Sequence, residues 1–177
     1  MMRIEIDLAV VAENFARHSE NPSLQESAQL LAAGGLPVEM LQALAMNPGA
    51  LRAFSGFADV YPCGMLERPI MEKVILQVSR MHDCQFCVSS HLAMTRQLGI
   101  AEEAETPREK LAVEYARQMT VDANRIPYAL FDELRAAFTA PEIVELTFLT
   151  GLITLLNRFN NALQVRYGGE YDAVKVR

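Results

Sequence analysis

Apolar positions recur along the chain every three or four residues, the period of one face of a helix, and hardly anywhere alternate one by one. "RPIMEKVILQVSRM" shows this most plainly, with Ile70, Met71, Val74, Ile75 and Val78 at helical spacing and Pro69 near the start. "PVEMLQALAMN", "ALRAFSGFADVY", "CQFCVSSHLAMTRQLG", "YALFDELRAAF" and "EIVELTFLTGLITLLNRFNNAL" repeat the pattern. No stretch reads as an alternating strand between hairpin turns. The pattern predicts roughly eight to ten helices, no sheet, and an all-α helical bundle.

Start and stop signals agree with the periodicity. Ser23 with Glu26, Thr106 with Glu109, and Thr139 with Glu142 each have the spacing of a capping box. Pro107 falls at a first helical position, and the helix opened by Thr139 is expected to run to about Ala162. Gly34, Gly35 and Gly99 follow helical segments as stops. Asp83 is placed as the N-cap of a helix from Cys84 to about Leu98. No linker divides the chain, so residues 1–177 are expected to form a single domain.

Composition narrows the function classes. The 177 residues carry a net charge of −6, and no Lys/Arg cluster offers a footprint for nucleic acid or an anionic membrane. The most apolar run, Ile143 to Leu156, reads as too short to cross a bilayer and contains Glu145. Arg3, Glu5, Asp7 and Glu13 interrupt the first segment, which lacks the form of a signal peptide. The expectation is a cytoplasmic protein. Its three cysteines are too few and odd in number for a secreted disulfide framework.

Chemistry concentrates in "MHDCQFCVSSH", which holds two of the three cysteines and two of the three histidines. A helix from Cys84 places Cys84 and Cys87 in its first turn, where the helix terminus favours thiolate. Their spacing puts both sulfurs on one face, within reach of a disulfide. His91 follows Cys87 by four residues on that face, where an imidazole can take a thiol proton. If residues 81–83 turn the chain back, Glu72 on the preceding helix meets His91 as the third member of a relay. Other readings stay open on these residues alone. They are a zinc site of His82, Cys84, Cys87 and His91, a thioredoxin-like motif that lacks its preceding strand, or a non-enzymatic domain with packed thiols. Cys63 reads as a buried or loop thiol, and Arg158 as paired with a carboxylate or lying at a subunit contact. The offsets from Glu72 to Cys84 and Cys87 recur from Glu145 to Asn157 and Asn160. That echo is either a worn duplication of a helix pair or a coincidence.

"PIMEKVILQVSRMHDCQFCVSSH" resembles the signature of the alkylhydroperoxidase D-like branch of the carboxymuconolactone decarboxylase superfamily. Glu72, Cys84, Cys87 and His91 match its Glu, Cys, Cys and His with every spacing kept, and the likeness covers roughly residues 40–165, with residues 1–40 as an N-terminal helical extension. The resemblance implies an AhpD-like all-α fold and a thiol peroxidase with no cofactor of its own. Cys87 would be attacked by hydroperoxide, Cys84 would resolve it to a disulfide, His91 would activate the thiols, and Glu72 would support His91. It also implies an external dithiol reductant, lipoyl or thioredoxin-like, and a homo-oligomer, trimer or hexamer. Phe86 departs from the founding members, which have a histidine between the cysteines, and His82 stands just before the motif instead. The alternatives within the resemblance are an acid–base enzyme using His91 and Glu72, and a redox-sensing module without turnover.

Overall fold

The computed structural model describes residues 2–18, 21–58 and 64–172. Among them are nine α-helices and one 3₁₀ turn, without a strand. They are α1 (Leu8–Arg17), α2 (Pro22–Ala32), α3 (Glu39–Ala45), α4 (Pro48–Ala58), α5 (Arg68–Met81), α6 (Gln85–Leu98), α7 (Pro107–Asp122), α8 (Tyr128–Ala137) and α9 (Ala140–Leu163), with the 3₁₀ turn at Ala123–Arg125. Cys63 lies outside the described residues.

Local chemistry explains most boundaries. Thr106 and Thr139 form complete capping boxes with Glu109 and Glu142, as their spacing predicts. Ser23 lies inside the helix rather than before it: α2 opens at Pro22, and the Asn21 side chain accepts the Leu24 N–H at 3.3 Å. Asn21 does the capping because Pro22 takes the first helical position, which leaves Ser23 inside the first turn. α2 ends in a Schellman motif. Gly34 takes a φ of +83° while the Gly34 and Gly35 N–H groups return to the carbonyls of Leu31 and Leu30.

The bundle has three apolar clusters. Around α5, Ile70, Val74, Ile75 and Val78 pack on Ala112 and Tyr115 of α7, Leu134 of α8, and Leu146 and Ile153 of α9. Val11 and Phe15 of α1 pack with Leu24, Leu44 and Leu51 of α2–α4. Between these bodies, Val38, Cys84, Phe86, Cys87 and Val165 form a third cluster, with Met40, Leu41, Tyr167 and Tyr171 against it. Burial of these side chains supplies the main drive for folding. α9 is longer than its apolar run suggests. By length and composition alone its 24 residues would suffice to cross a membrane, yet here Leu146, Leu149, Ile153 and Asn157 are buried within the bundle.

The echo between Glu72 and Glu145 is not a repeated helix pair. Glu72 and the cysteines are separated by the α5–α6 turn, whereas Glu145, Asn157 and Asn160 share one continuous helix. Glu145 accepts the N–H groups of Met65 and Leu66 ahead of α5.

Candidate active site

The turn between α5 and α6 is three residues long and sets the dithiol. Asp83 takes a φ of +51°, the left-handed region, so it closes α5 rather than opening α6. The Asp83 N–H returns to Arg80 O at 3.1 Å and the Cys84 N–H to Ser79 O at 3.0 Å, a second Schellman motif. The N-cap therefore falls one residue later than the sequence suggests, on Cys84. Its Sγ accepts the Cys87 N–H at 3.4 Å, the task an Asp or Ser oxygen usually performs. So short a turn has no room for Asp83 to cap the second helix, because the first helix uses it to reverse the chain. Aspartate tolerates this conformation better than most residues with a side chain.

Both thiols are free and buried, Cys84 completely and Cys87 nearly so. The Cys84 thiol is pulled down to about 7, chiefly by a hydrogen bond from the Cys87 side chain. Burial opposes that shift, and the Cys87 N–H, Asn157 and Asn160 reinforce it. Cys87 is pushed up by the same bond and by its burial. The pair thus holds its first negative charge on Cys84, at the positive end of α6, with the Cys87 proton shared toward it.

One turn further along α6, His91 Nδ1 meets Glu72 Oε2 at 2.7 Å. Glu72 is fully buried on α5, and its other oxygen accepts from Arg68 Nε at 2.7 Å. An ionised Glu72 accepts a hydrogen bond from Nδ1–H, which fixes the tautomer and leaves Nε2 as the basic nitrogen of the ring. The structure thus joins Glu72 to His91 and Cys84 to Cys87 as two hydrogen-bonded pairs. The spacing of Cys87 and His91 on α6 links them.

Several neighbours are not evident from the motif. Asn160 Nδ2 lies 3.3 Å from Cys87 Sγ, and Asn157 Nδ2 lies 3.1 Å from Ser79 Oγ. The signal was a pair of amides one turn apart on an apolar helix, "NRFNN". Arg68 sits one turn before Glu72, a spacing that favours an ion pair. Phe86, at the position of the family's extra histidine, stacks edge-on against Tyr167 of the C-terminal segment at 6.5 Å. It makes that wall of the site apolar and does no proton transfer. His82 is the C-cap of α5, with Nε2 buried and its pKa shifted down by burial and by Arg158. Arg158 is exposed and has no carboxylate partner among the described residues. Among those residues, no three His, Cys, Asp or Glu side chains converge as a metal site. A cavity of about 160 Å³ between Leu24, Met40, Leu41, Phe54 and Tyr171 shares three of these side chains with the dithiol cluster.

No family model matches the chain. It is 32% identical over 121 residues to the uncharacterized protein YnjA of Escherichia coli K12, covering 58% of this chain and 66% of that one. It is 25% identical over 111 residues to the uncharacterized protein YdfG of Bacillus subtilis 168, covering 55% and 76%. Among solved structures, a peroxidase-related protein from Silicibacter sp. TM1040 superposes with a TM-score of 0.76 at 20% identity, over 99% of this chain and 96% of that one. An uncharacterized peroxidase-related protein with an alkylhydroperoxidase AhpD core, from Ralstonia eutropha JMP134, gives 0.76 at 21% identity, over 99% and 97%. A protein of unknown function from Agrobacterium tumefaciens, provisionally described as the antioxidant defence protein AhpD, gives 0.64 at 25% identity, over 68% and 92%. The first two likenesses cover nearly the whole of this chain. Two full-length fold matches, and a third at higher identity, show that this chain has an AhpD-like all-α fold.

Proposed function

We propose that this protein is a thiol peroxidase that reduces organic hydroperoxides through the Cys84–Cys87 dithiol. The observation that carries the reading is the dithiol itself. Two buried free thiols stand at a helix N-terminus, with the Cys87 N–H bonded to Cys84 Sγ, and His91, one turn away, is oriented by a buried glutamate. Cys87 attacks the distal oxygen of ROOH, and the thiol proton passes through His91 Nε2 to the departing alkoxide. The products are ROH and a sulfenic acid on Cys87. Cys84, whose thiolate is favoured at the N-cap, then attacks the Cys87 sulfur, forming the disulfide and releasing water. An external dithiol, lipoyl or thioredoxin-like, restores the reduced pair. The apolar cavity beside the cluster favours an organic substituent on the peroxide over hydrogen peroxide alone.

The protein is expected to work in the cytoplasm, where a reductant keeps the pair open. It is also expected to assemble with copies of itself. Val144, Phe148 and Leu155 form an exposed apolar stripe along α9 at heptad-like spacing, a surface suited to a second helix. The test is a pair of variants. Cys87→Ser is expected to abolish reaction with tert-butyl hydroperoxide, and Cys84→Ser to stop at a sulfenic acid that dimedone traps. Equal peroxide consumption by both variants would overturn the assignment.

A further inference from the structure

α9 brings two amides to the dithiol that the proposed steps do not use. Asn157 and Asn160 are 0% and 1% exposed, on a helix face otherwise filled by Leu146, Leu149 and Ile153. Their N–H groups are committed. Asn160 Nδ2 donates to Cys87 Sγ at 3.3 Å and lies 3.6 Å from Met40 Sδ. Asn157 Nδ2 donates to the Oγ of buried Ser79, whose backbone carbonyl receives the Cys84 N–H. One amide therefore holds the Cys87 sulfur, and the other holds the turn that carries Cys84.

Their carbonyl oxygens are different. Asn157 Oδ1 and Asn160 Oδ1 are both buried without a hydrogen-bond donor among the described residues. A buried amide oxygen left unpaired is costly and uncommon. Two of them, one turn apart beside the dithiol, are placed to accept a donor that another state of the site brings. The sulfenic acid formed on Cys87 supplies one, because its O–H appears where only sulfur stood before.

We propose that Asn157 and Asn160 are positioning residues of the dithiol, whose N–H groups hold the reduced pair and one of whose orphan oxygens accepts the O–H of the Cys87 sulfenic acid. The proposal rests on the peroxidase reading. The step balances as Cys87–SH plus ROOH giving Cys87–SOH plus ROH, with the O–O bond broken and an S–O bond made. Cys87–SOH plus Cys84–SH then gives the disulfide plus water. The amides keep the Cys87 S–O bond oriented until Cys84 displaces hydroxide from it. Hydrogen bonds from the amides to sulfur also favour thiolate over thiol.

Two readouts test this, one of them independent of peroxide. In the first, reduced wild type, Asn160→Leu and Asn160→Asp are alkylated with iodoacetamide across pH, and the Cys84–Cys87 peptide is followed by mass spectrometry. Both variants are expected to move the midpoint upward and slow alkylation at neutral pH by about tenfold, the equivalent of one pH unit. Asn160→Asp should move it further, through its added charge. In the second, Cys84→Ser carrying Asn157→Leu or Asn160→Leu is treated with tert-butyl hydroperoxide, and dimedone reports how long the sulfenic acid persists. A shortened lifetime is expected. Thermal melts select the variants that fold, and Asn157→Ala or Asn160→Ala, which remove the oxygen without adding bulk, stand in if the leucine variants do not. Folded variants with an unmoved midpoint and an unchanged lifetime would overturn the proposal. If Cys84→Ser forms no sulfenic acid at all, the peroxidase reading fails, while the alkylation profiles still decide whether the amides tune the thiols.

Discussion

Glu72 and Glu109 are both buried carboxylates paired with a cation, and α5 serves both through the adjacent residues Glu72 and Lys73, yet they do different work. Glu109 Oε1 meets Lys73 Nζ at 2.7 Å, and its Oε2 accepts the N–H groups of Glu105 and Thr106 at 2.8 and 2.9 Å. Every partner is itself fixed, so that arrangement is closed. Although burial pushes it up, the Glu109 carboxyl is held down to about 2 by Lys73 and the two backbone donors. Glu72 instead meets two groups that reach toward solvent, Arg68 and His91, whose side chains are 24% and 16% exposed. A closed ion pair pins α5 to the start of α7. An open one, ending in an imidazole one turn from a thiol, can pass a proton. What distinguishes the candidate chemistry from the scaffold is where the partners lead, not the presence of a buried charge.

The comparison can be broken from either side. Glu72→Gln or His91→Phe should lower the rate of peroxide reduction by about 10²-fold or more, the usual scale for losing a positioned acid–base group. Stopped-flow peroxide consumption checks this, and the melting temperature should change little for His91→Phe. Lys73→Met should do the reverse. It strands a buried carboxylate, costs about 3–5 kcal/mol of stability, and leaves the rate per folded molecule unchanged. Denaturant unfolding reads that cost. Lys73→Met with Glu109→Gln should recover most of it, because no charge is then left alone.

The pH dependence separates the two carboxylates further. Glu109 is depressed from 4.5 to about 2 in the folded state, so its stabilising contribution is complete above pH about 4.5 and fades as pH falls toward about 2. Its size is on the order of 3 kcal/mol. The stability difference between wild type and Glu109→Gln should therefore shrink across that interval and stay flat above it, as unfolding free energies at a series of pH values will report. The smallest effect concerns the turn. Asp83→Gly should stabilise the protein by up to about 1 kcal/mol, because glycine takes a positive φ without strain, and should leave peroxide reduction intact.

Sequence made the helices legible because their causes are local. Thr106 and Thr139 cap where their spacing says, and Pro107 sits at a first helical position. The failures occur where one residue type suits two local tasks. Asp83 is a good N-cap by composition, but the three-residue turn needed a left-handed residue more. Asn21 and Ser23 both suit a cap, and Pro22 decided between them. The motif residues were visible as a spacing, whereas their surroundings were not. Asn157 and Asn160 look like ordinary polar positions until α9 is laid against the α5–α6 turn. Nothing in the sequence distinguishes Lys73 from a surface lysine. Burial of polar groups is a property of tertiary packing, and only the assembled bundle shows it.

The central claim is that Cys84 and Cys87 act as one redox pair. The most direct test is mass spectrometry of the reduced protein before and after one equivalent of tert-butyl hydroperoxide, with the cysteines mapped by peptide. The account predicts the loss of two hydrogen atoms, localised to the peptide that contains both residues. If both thiols stay free while the peroxide is consumed, or if the peroxide is left unreacted, the dithiol mechanism is contradicted.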